Sequence, residues 1–128
     1  MPKVLIVEDD SGSRRMVEFT LQQEGFEVIT AANGREGLEK AQNEQPDVIV
    51  MDIMMPVMGG LEACLRLKEV PTTSHIPILV LTAKTTESDR TYSLMAGADD
   101  YVSKPADLHD VAERVRMLAA QRTEQGTE

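Results

Sequence analysis

Val4-Leu5-Ile6-Val7-Glu8-Asp9-Asp10 decides the fold: four apolar residues in a row run straight into three acids. A strand that is apolar at every position is buried on both faces, which requires a parallel sheet with helices on both sides. Three further runs have the same form. Val48-Ile49-Val50-Met51 ends at Asp52, Ile78-Leu79-Val80-Leu81 ends at Thr82, and the short Tyr101-Val102 leads into Ser103-Lys104-Pro105. An open α/β sheet binds its ligands in the crevice beyond the carboxyl ends of its strands. Glu8, Asp9, Asp10, Asp52, Thr82 and Lys104 therefore converge on one place.

The segments between these runs read as helices, with one more strand. Ser11 to Gln23 is helix-forming, with Val17 and Leu21 one turn apart and Glu24-Gly25 as its stop. Glu27 to Ala31 is the most polar strand and belongs near an edge. Asn33 to Gln42 places Gly34, Gly37, Leu38 and Ala41 on one face and a Glu36-Lys40 pair outside. Asn43 to Asp47 is a loop. Gly59-Gly60 opens a helix whose expected apolar face is Leu61, Cys64, Leu65 and Lys68, and Val70 to His75 is a turn-rich connection. Thr86 to Ala96 is a weaker helix stopped at Gly97. Leu108, Val111, Ala112, Val115, Leu118 and Ala119 give a clean last amphipathic helix. Right-handed crossovers leave few topologies for such a chain. The expected fold is a single-domain, doubly wound α/β sheet of five parallel strands in the flavodoxin-like order 2-1-3-4-5, which sets Asp9 and Asp52 face to face at the switch point. The domain spans residues 2–120, and 121–128 form a polar tail that is expected to be disordered from Thr123.

The 128 residues suffice for one domain. A net charge of -9 argues against direct binding of nucleic acid or an anionic membrane. One cysteine, Cys64, excludes an internal disulfide and a multi-cysteine zinc site, and the N-terminus enters a strand with no signal-peptide pattern. The expected setting is the cytoplasm. Cys64 reads as core, and Met51, Met54, Met55 and Met58 read as packing and loop residues, because thioethers are poor partners for hard cations.

Four segments together carry a family resemblance: Val4 to Asp10, Val50-Met51-Asp52-Ile53-Met54-Met55-Pro56-Val57-Met58-Gly59-Gly60, Val80-Leu81-Thr82-Ala83, and Gly97-Ala98-Asp99-Asp100-Tyr101-Val102-Ser103-Lys104-Pro105. Over residues 2 to 120 the chain resembles the receiver domain of two-component response regulators. The resemblance implies a phospho-accepting signalling domain, not a metabolic enzyme, with self-catalysed phosphoryl transfer and autodephosphorylation. Asp52 would be the phosphoacceptor. Mg²⁺ would be bound by Asp9, Asp52 and the backbone carbonyl of Met54, with Glu8 acting through water and Asp10 peripheral. Thr82 and Lys104 would contact the phosphoryl group, and Thr82 with Tyr101 would form the switch. The Lys104-Pro105 bond is cis in the family.

Elementary chemistry supports these assignments. A carboxylate becomes a phosphoryl acceptor when it lies in line with a phosphorus whose equatorial charge is neutralised. Mg²⁺ takes oxygen ligands and uses only one or two carboxylates. Lysine supplies a point charge and a threonine hydroxyl can donate to a phosphoryl oxygen. Two positions depart from the family pattern: Gly59 stands where Asp or Asn often caps the next helix, and Ala106 stands where an aromatic often follows Lys-Pro.

The partners implied are a sensor histidine kinase or histidine phosphotransfer protein, and a downstream protein reached through the fourth helix, fifth strand and fifth helix. Arg90, Asp100, Asp110 and Arg114 there have the charge types found at the dimer face of DNA-binding members. The expected state is a monomer, with a weak dimer on phosphorylation. The start at Met1 favours a stand-alone receiver, and the N-terminal module of a longer DNA-binding or enzymatic regulator is the alternative. An aspartate-nucleophile phosphohydrolase of the haloacid-dehalogenase type would need Asp-x-Asp after its first strand, which is missing here. A flavin or nucleotide binder of this topology would find its phosphate repelled by Glu8-Asp9-Asp10.

Overall fold

Alternation within the apolar runs determines which helix each side chain meets. The computed structural model describes residues 2–55, 58–83 and 86–126. Its strands are β1 (Lys3–Val7), β2 (Glu27–Ala31), β3 (Val48–Met51), β4 (Ile78–Thr82) and β5 (Asp100–Ser103). They form one parallel sheet in the order β2-β1-β3-β4-β5, as the sequence predicts. The helices are α1 (Ser11–Gln23), α2 (Gly34–Glu44), α3 (Gly60–Glu69), α4 (Glu87–Met95) and α5 (Leu108–Gly126).

Val4, Ile6, Val48, Val50, Leu79 and Leu81 pack on one side against Val17 and Leu21 of α1 and Val111, Ala112 and Val115 of α5. Leu5, Val7, Ile49, Met51, Ile78 and Val80 point the other way, toward Ala41 of α2, Ala63, Cys64 and Leu67 of α3, and Ala96 beyond α4. Both faces are therefore covered, which is why the runs 4–7, 48–51 and 78–81 carry no polar residue. Truncating a fully buried member such as Ile49 to alanine costs about 2–5 kcal/mol, since transfer and cavity terms add. The edge strand β2 is half-buried, as its polar composition predicts.

Asp10, Asn33 and Thr86 cap α1, α2 and α4 by accepting the backbone N–H of Ser13, Glu36 and Asp89. Gly59 begins α3 without a side-chain cap. Gly25 and Gly97, which follow α1 and α4, have φ of 98° and 110°, a region open to glycine. The outer pair Lys40–Glu36 forms at 3.4 Å.

Three expectations are corrected. The buried face of α3 is Gly60, Ala63, Cys64 and Leu67, whereas Leu65 is 48% exposed. Gly60 lies so close to the backbone of Asp52 and Ile53 that a Cβ there would approach both within 2.5 Å, and this contact fixes the rotation of the helix. Helix α2 continues to Glu44, because Gln45 supplies a left-handed C-cap at φ 48° and donates its N–H to Ala41. Helix α5 runs to Gly126, so Thr123 continues a helix where a tail was expected.

Candidate functional site

The carboxyl ends of β1, β3, β4 and β5 set the site before any side chain is considered. The Asp52 N–H donates to the Val7 carbonyl at 3.0 Å, and the Glu8 N–H donates to Ala31 at 3.0 Å. The Lys104 N–H donates to Thr82 at 2.7 Å. Each residue that follows an apolar run is thus held by the neighbouring strand.

The side chains then meet around Asp52, which is 8% exposed. Its Oδ1 accepts the Thr82 hydroxyl at 2.9 Å and the Met54 N–H at 2.9 Å. Its Oδ2 lies 3.3 Å from Lys104 Nζ. The same ammonium stands 2.5 Å from Glu8 Oε1, while the buried Glu8 Oε2 has no hydrogen-bond partner among the described residues. Burial pushes the Glu8 carboxyl up to about 7, and the neighbouring Asp52 acts in the same direction against the pull of Lys104. Burial opposes the charge of Lys104, but its hydrogen bond to Glu8 and the nearby carboxylates outweigh that penalty and hold the ammonium above its ordinary range.

Glu8, Lys104, Asp52 and Thr82 are therefore linked in one chain of contacts. Asp9 is exposed beside them. Asp10 caps α1 through Oδ2 at 2.7 Å from the Ser13 N–H. Tyr101 is turned into the core on the α2–α4 side and is 6% exposed. Among the described residues, no three His, Cys, Asp or Glu side chains gather as a metal cage. Lys104 bridges Glu8 and Asp52 instead. Pro56 and Val57 of the motif lie outside the described residues.

The Lys104-Pro105 peptide is cis. Ala106 lines an open groove of about 400 Å³ with Ser13, Met16, Val17, Leu81 and Leu108, in the place where a bulkier side chain would close it. Sequence reasoning missed Arg14, whose guanidinium donates to the Glu8 carbonyl at 2.9 Å. It placed Gly34 on the inner face of its helix but not against the Met58 carbonyl, which a Cβ there would approach to 2.5 Å.

A family model described as the response regulator receiver domain matches residues 4–116. The chain belongs to the receiver-domain family. This receiver is 40% identical over 116 residues to the alkaline phosphatase synthesis transcriptional regulatory protein PhoP of Bacillus subtilis, a match covering 91% of the chain and 48% of that protein. It is 39% identical to the phosphate regulon regulator PhoB of Rhizobium meliloti over 92% of the chain and 52% of that protein. The receiver spans about half the length of these curated relatives.

Among solved structures, the chemotaxis protein CheY4 of Vibrio cholerae superposes with a TM-score of 0.86 at 38% identity, covering 92% of this chain and 98% of that one. The receiver domain of a sensor histidine kinase from Pseudomonas aeruginosa, solved with magnesium coordinated in its active-site cleft, gives 0.87 at 28% identity over 93% and 98%. The receiver is accordingly a signalling domain of two-component systems, a family whose members communicate with histidine kinases and downstream effectors. No described helix is long and apolar enough to cross a membrane.

Proposed function

We propose that this receiver accepts a phosphoryl group on Asp52 from a phosphohistidine of a sensor kinase or phosphotransfer protein in the cytoplasm. The observation that carries this reading is the buried Asp52 carboxylate, engaged by the Thr82 hydroxyl on one oxygen and by Lys104 on the other. An Asp52 oxygen attacks phosphorus as the phosphorus–nitrogen bond to the donor histidine breaks. Lys104 moves its contact from carboxylate to phosphoryl oxygen, and the Thr82 hydroxyl donates to a second. Water later cleaves the acyl phosphate and regenerates Asp52.

Asp9, Asp52, the Met54 carbonyl and, through water, Glu8 would hold Mg²⁺. The donor set is all oxygen, and the unpartnered buried Glu8 Oε2 suits an outer contact to such an ion. When bound, the ion neutralises charge on the transferring oxygens. Glu8 and Asp9 otherwise raise the negative potential at Asp52, against which Lys104 is the contacting cation.

The switch reading assigns the reporting movement to Thr82 and Tyr101. Thr82 is already bonded to Asp52 and Tyr101 is already buried, the arrangement that this reading gives to the loaded state. Phosphorylation would then stabilise an arrangement that the free protein can reach, altering the surface of α4, β5 and α5 that a downstream protein contacts. The length of the curated relatives supports a second reading, in which this receiver is the N-terminal module of a longer regulator.

Intact mass after incubation with acetyl phosphate and Mg²⁺ tests the central step. One added phosphoryl group is expected, absent in Asp52→Asn and absent with a chelator. Undiminished labelling of Asp52→Asn would overturn the assignment.

A further inference from the structure

Arg14, in the first turns of α1, serves the acidic loop that precedes it. Its guanidinium Nη1 donates to the Glu8 carbonyl at 2.9 Å and lies 3.4 Å from the Asp9 carbonyl. Its backbone N–H donates to the Asp10 carbonyl at 2.9 Å. Three successive carbonyls, those of Glu8, Asp9 and Asp10, thus turn toward one residue. Peptide groups are planar, so fixing these carbonyls fixes the peptide planes on both sides of Asp9. It thereby fixes the direction in which the Cα–Cβ bonds of Glu8 and Asp9 leave the backbone.

Among the described residues, the other restraints on this loop hold Glu8 and Asp10, including the Lys104 contact to the Glu8 carboxylate, and do not reach Asp9. The Glu8 N–H is tied to Ala31 and the Asp10 carboxylate to Ser13. The Asp9 side chain is exposed, so packing does not orient it.

We infer that Arg14 is a positioning residue, which orients the carboxylates of Glu8 and Asp9 toward Asp52 by holding the carbonyls behind them. The inference rests on the proposal that Asp9 and Glu8 serve a divalent cation. Arginine suits the task because its planar fork can reach adjacent carbonyls while remaining charged.

The sign of the effect separates positioning from simple electrostatics. If Arg14 acted only as a nearby positive charge, removing it would tighten binding of a dication by relieving repulsion. If it orients the acids, removing it weakens binding despite that relief.

Mg²⁺ titration followed by backbone amide shifts, with wild type, Arg14→Ala and Arg14→Lys, reads this sign. The expected result is affinity about tenfold weaker in Arg14→Ala, the lower end of what loss of a residue behind a metal ligand costs, with Arg14→Lys between. In metal-free protein, ¹⁵N order parameters of Glu8, Asp9 and Asp10 should fall in Arg14→Ala while those of Val48 to Met51 hold. Unchanged or tighter Mg²⁺ binding in Arg14→Ala would overturn the inference. If wild type itself binds no Mg²⁺, the metal reading fails, and the order parameters alone decide: unchanged values in Arg14→Ala then refute positioning, and a local fall sustains it.

Discussion

Lys104 and Glu8, 96 positions apart in the chain, meet at 2.5 Å between Nζ and Oε1. The contact joins the residues that follow the first and last described strands, at the carboxyl end of the sheet. Burial nevertheless holds the Glu8 carboxyl above its ordinary range, against the pull of this contact.

That displacement gives the first prediction. The Glu8 carboxyl is raised from 4.5 to about 7, so between those values the native protein keeps a proton that the unfolded chain releases. Stability from this group is present below about 4.5 and falls as pH rises through about 7. Thermal melts in chelator from pH 4 to 8 should therefore show wild type losing stability relative to Glu8→Gln as pH rises, by on the order of a few degrees in melting temperature. Parallel curves for the two proteins would remove Glu8 as the source.

Mg²⁺ should stabilise the native state by mass action, by about 2.7 kcal/mol at a hundredfold excess over its dissociation constant. Asp9→Ala should lose most of that increment. In metal-free buffer the same variant should melt at or above wild type, since one of several clustered like charges has gone. An equal Mg²⁺ response in both proteins would argue against Asp9 as a ligand.

Gly34 begins α2 against the loop that follows Asp52. A Cβ there would stand 2.5 Å from the Met58 carbonyl and 3.0 Å from the Met58 Cβ. Gly34→Val should cost about 1–3 kcal/mol in urea unfolding, because backbone cannot yield as a flexible side chain does. A loss below the error of the urea fit would mean that the Met58 loop adapts freely.

The α4–β5–α5 face carries an internal network that bears on assembly. Arg114 Nη1 reaches both carboxylate oxygens of Asp100 at 2.9 and 2.8 Å, and its Nε donates to Asp110 at 3.1 Å. A two-fold contact through these charges must exchange pairs already made within one chain, and exposed pairs contribute only about 0–1 kcal/mol each. The unphosphorylated receiver should be monomeric, with a weak dimer on beryllofluoride loading. Sedimentation velocity checks this, and one monomer boundary in both states at hundreds of micromolar would assign the face to a separate partner.

Legibility in the sequence followed locality. Asp52 and Thr82 directly follow apolar runs and Lys104 stands one residue beyond another, so finding the strands also brought these three side chains to one place. Helix α3 was harder, because Leu61-Cys64-Leu65-Lys68 and Gly60-Ala63-Cys64-Leu67 both satisfy a helical period. The choice between them depends on Gly60 meeting the Asp52 backbone, a tertiary contact that no periodicity encodes. The extension of α2 to Glu44 depended on left-handed Gln45, a conformation for which glycine or asparagine is the usual signal. Arg14 escaped notice because its partners are main-chain carbonyls, which leave no trace in residue identity.

The Asp52 N–H bonded to Val7 has a consequence for diversification. The proposed acceptor is attached to the sheet's own hydrogen-bond ladder, whereas the outer surfaces of the helices take no part in holding it. Under the proposed function, substitutions on those surfaces can redirect recognition without disturbing the geometry around Asp52, so one reaction can serve many insulated channels side by side, each guarded by its own unfavourable contacts with the wrong partner.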